Sequence, residues 1–527
     1  MKKYILLTFI ISISTLFAFS PVKDVTIKWG PELEGSRRGS ISSILGYDDS
    51  GYYIQGYDKR DIVIQKINTK LNNVGEYKFV EKDPETKIKY EYEGCQYFND
   101  KLIVFKSNTD KGDKIRELFY QEINKSTLKA TGKTIKITEL TYLSSRDKGY
   151  FGIITTKKAE VEDKDAKLMI AIVIPTEKKD NEQFTIIMCD NSLNTIWKKN
   201  FQIPYANELF NRKQFTCDKN GNAYVLGKLY KEKVLENKRG KQNFSYHLLA
   251  YTNNGENKVD YEIKLEDKFI TDISFSINDN GDIVAGGFYS KKGNFSVDGA
   301  YYLVLNGQTK EIKNSSFKEF DIDFITQGMT EREEKKARKK EEKGKDQELY
   351  EYDLHDLVKR SDGGIILIGE QFFIRTTTVF NGKTTSTIYT YHYNNIIIVN
   401  IDNSGKIDWA QTISKRQVSS SDFGYYSSFA LAVTDNKLRF IYNDSRENLK
   451  PKKQGYIKNY TFRDKDGIVT LATIDKDGKI TLEALINDAD IEVGIRPKVC
   501  DQINDHEILL FGEKRKKDQF AIVSFTQ

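Results

Sequence analysis

The sequence of 527 residues contains few of the residues on which disulfide-bonded or proline-rich proteins depend. Its four cysteines are far apart and include no C-x-x-C, which excludes a disulfide scaffold. We expect isolated buried thiols, although a single bridge stays open and spacing does not choose among its pairings. The seven prolines are too few for a proline-rich linker protein. Because aromatic residues make up 12% and the net charge is only +6, the chain is not disordered, and its bulk charge does not favour a nucleic acid as partner.

Recognisable catalytic and metal motifs are also missing. The chain has no H-E-x-x-H, no P-loop and no G-x-S-x-G, and its four histidines, at positions 247, 355, 392 and 506, are scattered. The Asp-Lys-Asp-Gly segments at 464–467 and 475–478 resemble the opening of a calcium loop but lack its later glutamate. Hairpin turns explain both segments, so we predict no metal site and no cofactor.

The N-terminus has the pattern of a secretory signal peptide. Lys2 and Lys3 precede an almost wholly apolar run over residues 4–19, which ends in small residues. The run is shorter than the roughly 20 residues that a membrane-spanning helix needs, so an uncleaved anchor is the weaker alternative. The sequence therefore predicts a signal peptide over residues 1–20 and an exported protein in the periplasm, on the cell surface or outside the cell. No other segment predicts a membrane span.

One pattern recurs along the rest of the chain: an apolar strand, a turn of Asp, Asn, Gly or Ser, and a second apolar strand that often ends in glycine. Such turn residues tolerate the positive φ of tight hairpins, and the β-branched and aromatic runs are typical of buried strands. The 22 residues after position 505 and the 30 from 21 to 50 together match one unit. The chain ends are therefore predicted to share the last blade of a closed ring, without exposed sheet edges. The eight turns lie at residues 51, 100, 149, 221, 281, 363, 436 and 505.

The tryptophans support this register and carry a family resemblance. Trp29, Trp197 and Trp409 each precede a turn by 22 to 27 residues, as expected for outer strands that pack between blades. Residues 353–415, with their Asp-Gly-Gly turn, apolar strand and Trp409, resemble the tryptophan-docked repeats of secreted, quinoprotein-like bacterial β-propellers. The resemblance implies a fold only. That fold is an all-β β-propeller over residues 21–527, with eight blades and seven as the alternative, closed by the N-terminal strand joining the C-terminal blade.

An insertion rich in charges of both signs interrupts this pattern at residues 330–345. Glu331 with Lys335 and Glu334 with Arg338 have the favourable i,i+4 order for a helix, but the segment has no apolar face. We expect a solvated helix or a disordered loop, with a docking arm for a partner as the alternative.

The polar and aromatic residues around the sixth turn form the predicted ligand site. Alternation along the following strand places its three tyrosines on one face and Thr390 and His392 on the other. Tyrosine rings suit sugar or peptide surfaces, whereas the alternative is a hairpin whose cross-strand pairs merely support each other. The predicted binding residues are Tyr389, Tyr391, Tyr393, His392, His355, Asp353 and Asp356.

These observations predict an exported, non-enzymatic binding or scaffolding propeller, with a protein partner or a glycan at one face. One alternative is a polysaccharide lyase or glycoside hydrolase with its site at one end of the propeller axis, which requires carboxylates or Arg, His and Tyr side chains converging there from different blades. A purely structural envelope component is the other.

Overall fold

Eight antiparallel sheets follow one another along the described part of the chain and form the blades of a β-propeller. The first strands of blades 1 to 4 contact one another in order, as do those of blades 5 and 6 and those of blades 7 and 8. The computed structural model describes residues 17–19, 22–34, 40–144, 146–156, 164–232, 237–238, 241–265, 267–278, 280–291, 296–327, 329, 331–343, 349–355, 357–360, 362–380, 382–434, 436–449, 457–462, 465–487, 494–514 and 517–526.

Each of the first four blades is a four-stranded meander in which successive strands pair. Alternating and continuous apolar runs along these strands bury one or both of their faces, as strands packed between two neighbouring blades require. Their strands are Ser40–Asp48, Gly51–Asp58, Asp61–Asn68 and Asn73–Lys78 in blade 1; Glu91–Phe98, Lys101–Asp110, Ile115–Ile123 and Ala130–Thr141 in blade 2; Tyr150–Thr155, Leu168–Ile174, Asn181–Cys189 and Thr195–Ala206 in blade 3; and Phe210–Cys217, Ala223–Tyr230, Phe244–Thr252 and Asn257–Ile263 in blade 4.

The later blades follow the same order, with a divided first strand in blades 6 and 8. Their strands are Phe269–Ile277, Ile283–Ser290, Gly299–Leu305 and Ile312–Glu319 in blade 5; Tyr352–Leu354, Val358–Lys359, Ile365–Phe380, Thr385–Ile401, Ile407–Ile413 and Gln417–Ser420 in blade 6; Ala430–Thr434, Lys437–Ser445, Gly467–Ile474 and Ile480–Asn487 in blade 7; and Gly494–Ile495, Asp501–Asn504, Glu507–Lys514, Lys517–Phe525, Val25–Trp29, Leu33–Glu34 and Phe17–Phe19 in blade 8. Short additional strands are Asn237–Lys238 with Lys241–Gln242, and Ser296–Val297 with Leu349–Tyr350.

The N-terminal strand closes the ring, as the sequence predicts. Val25–Trp29 pairs antiparallel with the last strand of the chain, placing Val25 opposite Phe525 and Trp29 opposite Ala521. On the other side of blade 8, the Arg496 guanidinium donates to the carbonyl of Ile41 in blade 1 at 2.6 Å. Most of the predicted signal peptide lies outside the described residues.

Seven of the eight predicted turns join the first and second strands of a blade, and the turn at residue 149 does not. Gly149, with φ of 73°, directly precedes the first strand of blade 3 and therefore belongs to the connection from blade 2. The first two strands of blade 3 are instead joined by residues 156–167. A turn with positive φ has the same local chemistry in either place, so its sequence does not fix its position in a blade.

Two tryptophans link neighbouring blades through their indole nitrogens. Trp197, on the outermost strand of blade 3, donates to the carbonyl of Gly221 in blade 4 at 3.0 Å. Trp409 lies on the strand Ile407–Ile413 of blade 6 and donates to the carbonyl of Lys476 in blade 7, also at 3.0 Å. Each ring therefore both fills space and fixes a turn of the next blade.

The charged segment after blade 5 contains the helix Glu331–Glu341, which follows the short helix Ile322–Ile325. Arg338 binds Glu334 within the helix and Asp323 of the short helix, at 2.9 and 2.8 Å, while Ala337 is buried. Two short 3-10 helices, Arg446–Leu449 and Pro497–Val499, complete the helical elements of the described residues. None of the helices in the described ranges combines the length and apolarity needed to cross a bilayer, and all four cysteines are unpaired.

We predict that Trp197→Ala lowers the free energy of unfolding by about 3–5 kcal/mol, because it removes a buried ring and a hydrogen bond between blades. Urea denaturation followed by circular dichroism measures this. Ile196→Ala, on the same strand but 42% exposed, is the control and should change stability by less than about 0.5 kcal/mol. Equal stability of both variants would show that the tryptophan does not couple blades 3 and 4.

Candidate functional site

Three of the predicted ligand residues surround Glu370 of blade 6. Asp353 and His355 lie on the exposed inner edge of the blade, and His355 Nε2 is 3.8 Å from Glu370 Oε2. Burial, together with the negative charges of Asp272 and Glu370, raises the pKa of Asp353. Burial, together with the negative charges of Glu370 and Asp353, raises the pKa of Tyr393 to about 12.

Glu370 itself belongs to a buried polar network that joins blades 6 and 7. Its Oε1 accepts from Nζ of the fully buried Lys415 at 2.5 Å, and its Oε2 accepts from the Ser428 hydroxyl at 2.6 Å. Lys415 also donates to Gln417 Oε1 at 3.0 Å and to the Tyr393 carbonyl at 3.1 Å. Burial would raise the pKa of Glu370, but the ammonium of Lys415 together with hydrogen bonds from His355, Lys415 and Ser428 holds that pKa below its usual value. The network fixes the carboxylate that faces His355.

Lys498 of blade 8 completes this group from the opposite side. Its Nζ lies 4.2 Å from the centre of the Tyr393 ring and donates to the Tyr393 hydroxyl at 2.8 Å. Gly424 lies against the same ring, where a Cβ would come within 2.2 Å of it, and its φ of 65° also favours glycine. Side chains from blades 6, 7 and 8 thus converge around Glu370.

The remaining predicted residues do not join this group. Tyr391 is buried against Phe423, and Tyr389 is half-exposed farther along the hairpin. His392 points to the opposite face of the strand, as the alternation predicts, and stacks on Phe373 with ring centres 4.4 Å apart. Asp356 lies outside the described residues.

A second polar constellation, on the outer strands of blade 4, has the geometry of a nucleophile, a base and an orienting acid. The Ser245 hydroxyl is 3.1 Å from His247 Nε2, and His247 Nδ1 is 2.9 Å from Asp260 Oδ1. Because the carboxylate can only accept at Nδ1, this arrangement assigns the Nδ1–H tautomer and leaves Nε2 as the acceptor for the serine proton. These are the contacts by which a histidine activates a serine.

The sheet of blade 4 produces this arrangement from local and neighbouring residues. Ser245 and His247 are two residues apart on Phe244–Thr252 and therefore share a face, and Asp260 reaches them from the adjacent strand Asn257–Ile263. Burial would raise the pKa of Asp260, but hydrogen bonds from His247 and from Tyr205 of blade 3 keep it below its usual value. The carboxylate is therefore ionised at neutral pH.

An open cleft of about 450 Å³ lies beside this constellation, between blades 3 and 4. Phe210 lines the cleft and stacks on Tyr205, with ring centres 5.8 Å apart. The Tyr205 hydroxyl in turn bonds Asp260 Oδ2 at 2.5 Å and lies 3.3 Å from His247 Nδ1. The cleft therefore adjoins the constellation through Phe210 and Tyr205, whereas Ser245, His247 and Asp260 are not among its described lining residues.

The sequence shows His247 as one of four scattered histidines and does not reveal its partners Ser245 and Asp260. The signal available was a serine two residues before a histidine in a predicted strand, which puts both side chains on one face. Asp260 is 13 residues later and comes near only through strand pairing, which the sequence does not specify. In the described part of the chain, no group of three His, Cys, Asp or Glu side chains could hold a metal ion.

Comparisons with known proteins found structural similarity but no similar sequence. No protein-family model and no curated protein matches the chain. Prolyl oligopeptidase B from Galerina marginata matches 91% of this chain and 56% of its own, at 10% identity and a TM-score of 0.39, so the chain spans little more than half of that protein. The β-propeller domain of the trilobed protease from Pyrococcus furiosus matches 82% of this chain and 93% of its own, at 10% identity and a TM-score of 0.33. Cobalt-substituted Synechocystis ACO matches 94% of this chain and 92% of its own, at 8% identity and a TM-score of 0.32.

The predicted role as a non-enzymatic binding or scaffolding propeller is wrong in the light of these matches, because the propellers found include those of peptidases. The alternatives of a glycan-cleaving enzyme and an envelope component have no support from them either. The prediction relied on the absence of catalytic motifs in the sequence, and side chains that converge only through folding leave no such motif. The low identities mean that no activity transfers from the matched proteins.

We predict that Lys415→Met destabilises the protein by about 3–5 kcal/mol, because Glu370 then stays buried without its counter-ion. The double change Glu370→Gln, Lys415→Met should recover most of this loss, since no buried charge remains. Urea denaturation of both variants measures the difference, with the exposed Lys406→Met as a control. If Lys415→Met is as stable as Lys406→Met, the ion pair between Glu370 and Lys415 does not stabilise the fold.

We also predict a pH-dependent stability from Asp444, which burial gives a pKa of about 7. The pKa of this carboxyl in the unfolded chain is about 3.9, so its favourable contribution is complete below about pH 4 and is lost as the pH rises to 7. Asp444→Asn should therefore match the native protein near pH 4 and exceed its stability at pH 8 by roughly 3–4 kcal/mol. Urea denaturation at both pH values measures the difference, and equal differences at the two would rule out this assignment.

Proposed function

We propose that the protein is a serine-dependent ester hydrolase whose site is the Ser245–His247–Asp260 constellation of blade 4. The observation that carries the proposal is the continuous chain of two contacts, 3.1 Å from serine oxygen to Nε2 and 2.9 Å from Nδ1 to carboxylate. Such a chain is identified by its geometry and not by the order of the residues or the fold. The predicted signal peptide would place this activity outside the cytoplasm.

The chemistry follows from the roles of the three side chains. The Ser245 oxygen attacks the acyl carbon of an ester while its proton moves to His247 Nε2, and Asp260 stabilises the imidazolium through Nδ1. The bond to the alcohol then breaks, and the alcohol leaves with the proton from Nε2. Water attacks the acyl-serine with His247 as base, which releases the carboxylic acid and restores the serine. The overall reaction is ester plus water to acid plus alcohol.

The cleft between blades 3 and 4 supports a small acyl substrate. Tyr230 offers aromatic surface for an apolar acyl group, whereas Phe210 is buried and Arg212 is bound to the carboxylate of Glu182. Because the serine is only partly exposed and the histidine is buried, a short linear acyl group fits this site better than a folded protein. We therefore assign short-chain esters as the substrate class.

We predict that a fluorophosphonate probe labels Ser245 of the full chain and that p-nitrophenyl acetate is hydrolysed. Ser245→Ala should abolish both, and Asp260→Asn should lower hydrolysis by about 10²–10⁴-fold, because it removes the carboxylate that orients His247. Mass spectrometry of the labelled peptide identifies the modified serine.

The matched control is Ser274→Ala, which removes a partly buried strand hydroxyl of blade 5. It should leave labelling and hydrolysis unchanged. Glu262 competes with His247 Nε2 for the single hydroxyl proton of Ser245, and Glu262→Gln tests this competition. If folded native protein is not labelled, or if labelling persists in Ser245→Ala, the constellation is a structural network and the proposal fails.

A further inference from the structure

A pocket of about 280 Å³ lies between the long hairpin of blade 6 and the segment that contains the charged helix. One face of the hairpin forms its floor, because Gln371, Phe373 and Arg375 on one strand share that face with His392 and Asn394 on the next. Arg416 and Asn459 contribute from the following connections. The pocket is separate from the constellation in blade 4 and from the network around Glu370.

The described residues that line this pocket include positively charged side chains and no negatively charged ones. The pocket is lined by two arginines, one histidine and several side-chain amides. Arg375 lies over the Phe373 ring, 5.3 Å from its centre, and has no ion pair with a described carboxylate. The nearest carboxylate to Arg416 is that of Glu333 in the charged helix, at 3.6 Å. A pocket with an arginine that has no described carboxylate partner, a second arginine in a long ion pair and several amide donors favours an anion.

His392 provides an independent indication of a ligand. Its Nε2 is buried and has no hydrogen-bond partner among the described residues. An unsatisfied buried polar atom is costly and is normally paired with protein, water or ligand. Burial and the adjacent charge of Arg375 lower the pKa of His392, so the pocket holds a neutral imidazole until a negative group enters.

We propose that this pocket binds the phosphoryl group of a small phosphate monoester. The two arginine side chains approach from different elements and match the two negative charges of the monoester, whereas His392 Nε2, once protonated, donates to a third oxygen. The amide of Asn459 faces the hydroxyl groups of the ester's organic part, whereas Asn394 Nδ2 already donates to Gln371 Oε1 at 3.2 Å. The volume is close to the lower limit of ordinary ligand pockets, which favours a compact molecule.

Isothermal titration of the full chain with glycerol 2-phosphate, inorganic phosphate and acetate tests this proposal. Glycerol 2-phosphate should bind more tightly than the other two. Arg375→Ala and Arg416→Ala should each weaken its binding by about 10-fold or more. Glu333→Gln should strengthen it a few-fold, because it frees Arg416. The matched control, Lys383→Ala at the exposed tip of the same hairpin, should change affinity less than about 2-fold.

The protonation of His392 provides a second test. Because the anion stabilises the imidazolium, the pKa of His392 measured by NMR should rise when glycerol 2-phosphate is added. His392→Phe, which keeps a ring on Phe373, should remove both the resonance and the increase in affinity at lower pH. Acetate binding as tight as that of the phosphate ester would overturn the phosphoryl assignment. Absence of binding, or affinity unaffected in Arg375→Ala and Arg416→Ala with native melting temperatures, would overturn the site.

Discussion

Pairing between the two ends of the chain is the constraint on which the ring depends. Val25–Trp29 adds to the edge of Lys517–Phe525, which would otherwise expose unpaired N–H and C=O groups along its length. The apolar side chains of this closing strand pack into one core with those of blades 7 and 8. Because nearly the whole chain separates the paired strands, closure is entropically costly and orders both termini together. The positions of all blades around the axis follow from this closure.

The architecture could be predicted from the sequence because its signals are local. Turn residues with positive φ, such as Gly221, recur with β-branched strands in most units, and the leftover lengths at the two termini reveal the shared blade. The turn at residue 149 was assigned to the wrong place in its blade because the signal is local. Gly149 satisfies the backbone of a blade-to-blade connection as well as that of a hairpin, so the motif identifies a turn without identifying its place.

The candidate sites were only partly predictable because their contacts cross strands and blades. Alternation correctly separated His392 from Tyr391 and Tyr393, since side-chain direction in a strand is a local property. The carboxylate that organises Asp353, His355 and Tyr393 was not found, because Glu370 is neutralised by Lys415, 45 residues later. A buried ion pair of this kind is costly alone and stable only as a completed network, so neither residue carries a sequence signal.

The distribution of turns and connections explains why the sites lie at one end of the ring. At the other end, turn aspartates are used by their own backbone: Asp218 Oδ1 accepts from the Asn222 amide at 3.0 Å, and Asp475 Oδ1 accepts from the amides of Asp477 and Lys479. Their carboxylates are therefore consumed in fixing hairpins. The connections between blades bring in side chains that the sheet does not require, among them Arg416 and Asn207. The turn carboxylates are fixed by their own hairpins, so the polar side chains of the candidate sites come from the end that carries the connections.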